Sequence, residues 1–211
     1  MATVSSVVPQ VAVHVPEASH PVISIALINA ARDLCQKARV LRKTLDPIDS
    51  VADQGVYSPS YPAGYELVDF INVRFEDRGL SPTTTTKLGE RDPKWRDKSG
   101  NVDWYLRDGA NGIRLVKKPS SAVTDAINIE AAVKPALGGD DIDDLLVSEH
   151  LGALVDGTLY YLYRMPNKPW SSMNSAGSHN ELFQYAIDQA WNRASDGHIK
   201  GVRRRVKYGG L

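Results

Sequence analysis

Apolar positions along the chain keep two rhythms, and the changes between them divide it. From Pro21 onward Leu27, Ala30, Ala31, Leu34, Ala38, Leu41 and Leu45 recur at helical spacing, while Arg32, Gln36, Lys37, Arg39 and Lys43 fall mostly on other faces. This predicts an amphipathic helix capped by Ser19, with Pro21 in its first turn and Pro47 stopping it. Between Pro47 and Pro135 the period becomes two. Ile71, Val73 and Phe75 alternate with polar neighbours up to an Asp77-Arg78-Gly79 turn. Val102, Trp104 and Leu106 then alternate with Asp103, Tyr105 and Arg107, followed by Asp108-Gly109-Ala110-Asn111-Gly112 and Ile113-Arg114-Leu115-Val116. Asp-Gly and Asn-Gly supply the positive-φ positions of a tight return, so this stretch predicts a β-hairpin. Ile127, Ile129, Ala131 and Val133 predict one more strand. After Gly138-Gly139 the helical period returns in Leu145, Leu151, Leu154, Val155, Leu159 and Leu162. A third helix, from about His179 to Ala194, carries Leu182, Phe183, Ala186, Ile187 and Ala190.

That order predicts an α+β fold. A helical domain of about three main helices is discontinuous in sequence, at 19–46 and 136–197, and a small antiparallel β-domain is inserted at 47–135. Residues 1–18 are expected to be an extended arm, because Pro9 and Pro16 interrupt them and no basic region marks a leader. The stretch SPTTTTKLGERDPKWRDKSG, residues 81–100, lacks periodicity and is expected to be a long exposed loop. Its Trp95 serves either as an anchor on a partner or as a cap over the β-core, the cap being favoured.

Composition adds one asymmetry. Apolar and charged fractions of 42% and 24% with zero formal charge suit an ordinary soluble protein and exclude a surface basic all over. The last residues, HIKGVRRRVKYGGL, nevertheless gather Lys200, Arg203, Arg204, Arg205 and Lys207 without one carboxylate. Such a tail, 198–211, points to an anionic partner. A lone Cys35 excludes an internal disulfide, and no apolar run is long enough to span a membrane.

Candidate chemistry is sparse. The five histidines lack ligand spacing, no phosphate-binding glycine motif occurs, and Ser178 lacks a nucleophile elbow. Asp140, Asp141, Asp143 and Asp144 are accounted for by a helix N-terminus, which favours negative charge, so no metal or cofactor is called for. Glu90 and Asp92 are the candidates for a glycosidase-type carboxylate pair. Asp156, beside Gly157 in the apolar ALVDGTLYYLY run, is expected to need a partner such as Arg32 or Arg39 across the helix packing.

Three segments carry a resemblance: SIALINAARDLCQKARVLR, LVSEHLGALVDGTLYYLYRMPNKPW and ELFQYAIDQAWNRASDGHIKGVRRRV. In this order they resemble the head-to-tail adaptor (connector) proteins of tailed bacteriophages. The resemblance covers most of the helical part and little of the β-insert. It implies a non-catalytic virion protein, assembled in the host cytoplasm and forming a dodecameric ring beneath the portal protein. The ring would extend the DNA channel and dock a tail nozzle or tail tube protein. Portal binding would then fall on Lys200, Arg203, Arg204, Arg205, Lys207, Tyr208 and Leu211, with packaged DNA as the alternative target of the cations. The competing reading is a tail or surface protein whose β-domain binds carbohydrate or a receptor, with Trp95 and Trp104 as stacking platforms.

Overall fold

Val4, Val7, Val8 and Val11 stand three and four residues apart, and all four are buried. They make α1 (Val4–Ala12) a helix where an extended arm was expected. Pro9 lies on its exposed face, so the proline costs one backbone bond while the valine stripe is buried against neighbouring helices. The structure, a computed structural model, describes residues 2–139 and 141–195. Along the chain a two-residue β1 (Ala2–Thr3) and α1 precede α2 (His20–Ala38), β2 (Arg42–Thr44), β3 (Ile48–Ser50), β4 (Val56–Tyr57) and β5 (Tyr65–Phe75). There follow β6 (Arg78–Gly79), β7 (Ser81–Pro82), α3 (Thr85–Arg91), β8 (Trp104–Asp108), β9 (Gly112–Val116) and β10 (Val123–Pro135). The described part closes with β11 (Asp141–Ile142), α4 (Asp144–Tyr163) and α5 (Met173–Ser195). The fold is α+β, and its chain divides into two compact units, 1–40 with 140–211 and 41–139.

In the helical unit α2 follows Ser19, which holds the N-cap position without a side-chain capping hydrogen bond, has proline in its first turn and gives way to Arg39, whose φ of 50° is left-handed. The Arg39 N–H closes the last turn on the Cys35 carbonyl at 2.9 Å. The helix therefore stops short of Leu41 and Leu45, which the helical pattern had included. A spacing of four fits both a helix and a strand, and Leu41 and Leu45 are buried in the other unit, flanking β2. Helix α4 is capped by Asp143, whose carboxylate accepts the Leu145 N–H at 3.1 Å. His150 interrupts its helical dihedrals with φ −130° and ψ 21°.

Three helices meet at Gly157. A Cβ placed there would lie 2.9 Å from the Ala30 Cβ of α2 and 2.9 Å from the Phe183 ring carbons of α5. Real side chains do not approach so closely, so the missing methyl is what lets α4 touch both neighbours. Ala30 and Phe183 are themselves fully buried, which leaves neither room to retreat.

The β-unit holds two sheets. One runs β2-β10-β5-β6, with β3 also on β10; the other runs β4-β9-β8-β7. Strands β8 and β9 form the hairpin anticipated from Asp-Gly and Asn-Gly, with Trp104 opposite Val116 and Asp108 opposite Gly112. On β5 the buried residues are Leu67, Phe70 and Val73, three apart where alternation predicts two. The register with β10 skips Val68 and Ile71, so each step includes one bulged residue and the inward face is kept. The Val68 carbonyl accepts from Arg107 Nη1 at 2.9 Å, and Phe70 meets Tyr105 of the second sheet edge-on at 6.2 Å.

The Gly157 junction yields a stability test. Gly157→Ala gains about 1 kcal/mol of helix propensity and loses about 1–3 kcal/mol to overpacking. Urea denaturation should show a net loss, larger for Gly157→Val and partly relieved by adding Phe183→Leu, which removes the clashing ring carbons. Unchanged or raised stability of Gly157→Ala would contradict the close approach.

Candidate assembly surfaces

Asp156 follows from the same junction, one residue earlier on α4. His179 Nδ1 of α5 donates to Asp156 Oδ1 at 2.9 Å, since an ionised carboxylate only accepts. The His179 ring is also stacked with Tyr163, centroids 5.5 Å apart. The arginine partner expected for Asp156 is thus replaced by a histidine. Arg32 lies half-buried on α2, while Arg39 covers the Trp191 ring at 5.4 Å. A second clasp escaped the sequence reading: Tyr161 of α4 donates to Asp33 Oδ2 of α2 at 2.7 Å. Burial, and then the Asp33 carboxylate, push the Tyr161 phenol far above its ordinary pKa, so it remains a donor. The signal available was a carboxylate, Asp33, among the apolar positions of the first helix. Both clasps can fix helix positions.

A groove of about 290 Å³ runs between α4 and α5, lined by His150, Gly152 and Ala153 on one side and Tyr185, Ala186 and Ala190 on the other. It lies where α4 loses helical geometry at His150 and where small residues leave space. Tyr185 is 66% exposed at its edge, and Leu182 and Trp191 are exposed on the same helix.

The stretch 81–100 is not the featureless loop expected. Thr84 caps α3, its hydroxyl accepting from the Lys87 N–H at 3.4 Å, and a 3-10 turn spans Trp95–Asp97. The order has an apolar cause: Leu88 and Trp95 are buried with Leu106 and Val116, and Trp104 packs against them. Trp95 is therefore the cap over the β-core, 5% exposed, with the Arg96 guanidinium 4.5 Å over its ring. That burial removes it as a free stacking platform. Beside it opens a cleft of about 420 Å³ lined by Leu88, Arg91, Asp92, Trp95, Lys98, Trp104 and Lys117, among others.

Asp92 is ion-paired with Lys98 and accepts the Lys94 N–H at 3.1 Å. The Lys98 hydrogen bond holds its carboxyl below the ordinary range, so Asp92 is ionised and committed, and Glu90 stands exposed on α3. Asp92, held ionised by Lys98, is not the protonated carboxyl that a glycosidase acid needs. Among the described residues no cluster of three or more potential metal ligands forms, and no helix is long and apolar enough to cross a membrane. Lys200, Arg203, Arg204, Arg205, Lys207, Tyr208 and Leu211 lie outside the described residues.

Two measurements check the Asp156–His179 clasp and the Asp92–Lys98 pair. His179→Ala leaves a partly buried carboxylate without its donor and should cost about 1–2 kcal/mol in denaturant unfolding. Asp156→Asn keeps an acceptor and should cost less. The Asp92 pKa is depressed, so its contribution is present above the unfolded value and lost as pH falls through the folded one. Tryptophan emission from the β-unit should stay constant on acidification to about pH 4 and change below it.

The family model described as SU10 adaptor protein matches residues 2–205 of the 211. No curated protein matches the sequence. The family match takes in both units and runs into the basic terminal stretch as far as Arg205. The chain belongs to the SU10 adaptor protein family and is a phage adaptor protein.

Proposed function

We propose that this chain is a head-to-tail adaptor whose copies stand side by side in a dodecameric ring under the portal, extending the DNA channel toward the tail. The observation that carries the reading is the family match over 2–205, because it joins helical unit, β-unit and basic terminus in one architecture. Lateral packing falls to the helical unit. Leu182, Tyr185 and Trp191 are exposed on α5, and Tyr185 lines a groove that small residues leave open. Single exposed apolar side chains are ordinary; a set on one helix beside a concavity is what a neighbouring copy would cover.

The basic tail, 198–211, is assigned to the portal protein. Arginine suits this because its planar fork bonds carboxylates in pairs, and Tyr208 and Leu211 add apolar anchors. One such contact is weak, but repeated around a ring each further one is intramolecular, and the joint holds. Phosphates of packaged DNA are the alternative target, less suited because a grip on the duplex would hinder its passage. The 81–100 segment of the β-unit is assigned to the tail nozzle or tail tube protein. The protein then resides in the virion neck after assembly in the host cytoplasm, and the reading includes no catalysis and no cofactor.

Deletion of residues 201–211 tests the tail assignment. The truncated protein should show the circular dichroism and melting temperature of the full chain and lose attachment to purified portal rings. Replacing Arg203, Arg204 and Arg205 together by alanine should weaken attachment at least about tenfold. Attachment equal to that of the intact protein would contradict the assignment.

A further inference from the structure

The cleft of the β-unit concentrates positive charge in a chain that is neutral overall. Arg91, Lys98 and Lys117 line it, with Asp92 as the opposing carboxylate, so its wall keeps a positive excess. Lys98 is neutralised by Asp92. Arg91 pairs with no carboxylate among the described residues; its guanidinium lies 4.9 Å over the Trp104 ring. Stacking of this kind orients the planar fork while its edge N–H groups stay available. Lys117 reaches Asp103 only at 3.9 Å, and that carboxylate is shared with Arg78 at 3.4 Å. Lys117 also has a φ of 60°, a left-handed backbone that a lysine adopts at a cost. Two cations without a full partner thus border a hollow whose wall also holds the Asp92–Lys98 pair and, as its apolar part, Leu88, Pro93, Val116 and the two indoles.

The shape decides between anionic ligands. At about 420 Å³ the cleft takes one or two side chains and lies within the usual range of ligand sites. A DNA duplex presents a convex phosphate surface with its bases stacked away, and would satisfy the cations while leaving the apolar wall empty. An acidic peptide fills both parts, with a carboxylate on the fork and ammonium and a flat or aliphatic side chain on the indole.

We propose that this cleft seats an acidic segment of the tail component, its carboxylate held by Arg91 and Lys117 and its neighbouring apolar side chain packed on Trp104, Leu88 and Val116. The proposal rests on the assignment of the 81–100 segment to the tail side. It deepens that assignment by naming the chemistry of the partner.

The full chain can be titrated with the peptide acetyl-Gly-Asp-Phe-Glu-Gly-amide, its Asn/Gln analogue, a thymidine octanucleotide and a short duplex, following tryptophan emission and NMR shifts. The acidic peptide should bind at least about tenfold more tightly than its neutral analogue and weaken with added salt. Arg91→Ala and Lys117→Ala should each weaken it about fivefold or more, and Trp104→Ala should remove the emission change. Circular dichroism of the two charge variants controls for folding, since both side chains line a rim. Equal binding of the neutral analogue, no saturable binding by the acidic peptide, or binding of an oligonucleotide in its place would overturn the proposal. Portal attachment measured on the unsubstituted full chain, beside its peptide binding, separates the two readings. Attachment without peptide binding sinks the cleft alone, while peptide binding without attachment sinks the adaptor reading alone.

Discussion

The absence of a side chain at Gly157 is the constraint on which the helical unit depends. Segments far apart in sequence, Ala30 on α2 and Phe183 on α5, both occupy the space that a methyl group would claim. Close packing of this sort gains dispersion contacts and shuts out water, and it also fixes the positions of the polar groups beside it. Asp156, the residue before it on α4, meets His179 of α5, and Tyr161, one turn on, meets Asp33 of α2. The two hydrogen bonds point to the two helices that the glycine brings near. The apolar approach supplies the stability and the polar pairs set the register between helices.

The β-unit is inserted between the two sequence segments of the helical unit and follows a different logic. Its long strands are irregular, with bulges at Val68 and Ile71 that keep Leu67, Phe70 and Val73 facing one way. One bulge carbonyl is taken up by Arg107 and so is not left unsatisfied. The segment that follows β7 is ordered because two apolar residues, Leu88 and Trp95, complete a small core with Leu106 and Val116. The polar remainder of that segment, including Arg91, Asp92 and Lys98, is thereby held around a concavity.

Much of this was legible in the sequence, and the misses have physical causes. The β8–β9 hairpin could be read because turn chemistry and alternation agreed over Trp104–Val116. Helices α4 and α5 could be read because their apolar stripes are long. Helix α1 was hidden by Pro9, whose cost is local while the gain from four valines comes only from packing. The ends of α2 and β2 were blurred because Leu41 and Leu45 fit either period. Helix α3 is seven residues long with one buried side chain, too short for a periodic signal. The His179 partner of Asp156 lies 23 residues away on another helix, so its identity depends on how α5 is rotated. Local sequence does not encode that angle.

A cryo-electron microscopy reconstruction of the virion neck tests the central claim most directly. The account predicts a closed ring of this chain immediately below the portal, with α5 facing the adjacent copy and the terminal basic residues directed to the portal. Density for this chain at a tail fibre, or its absence from the mature particle, would contradict it.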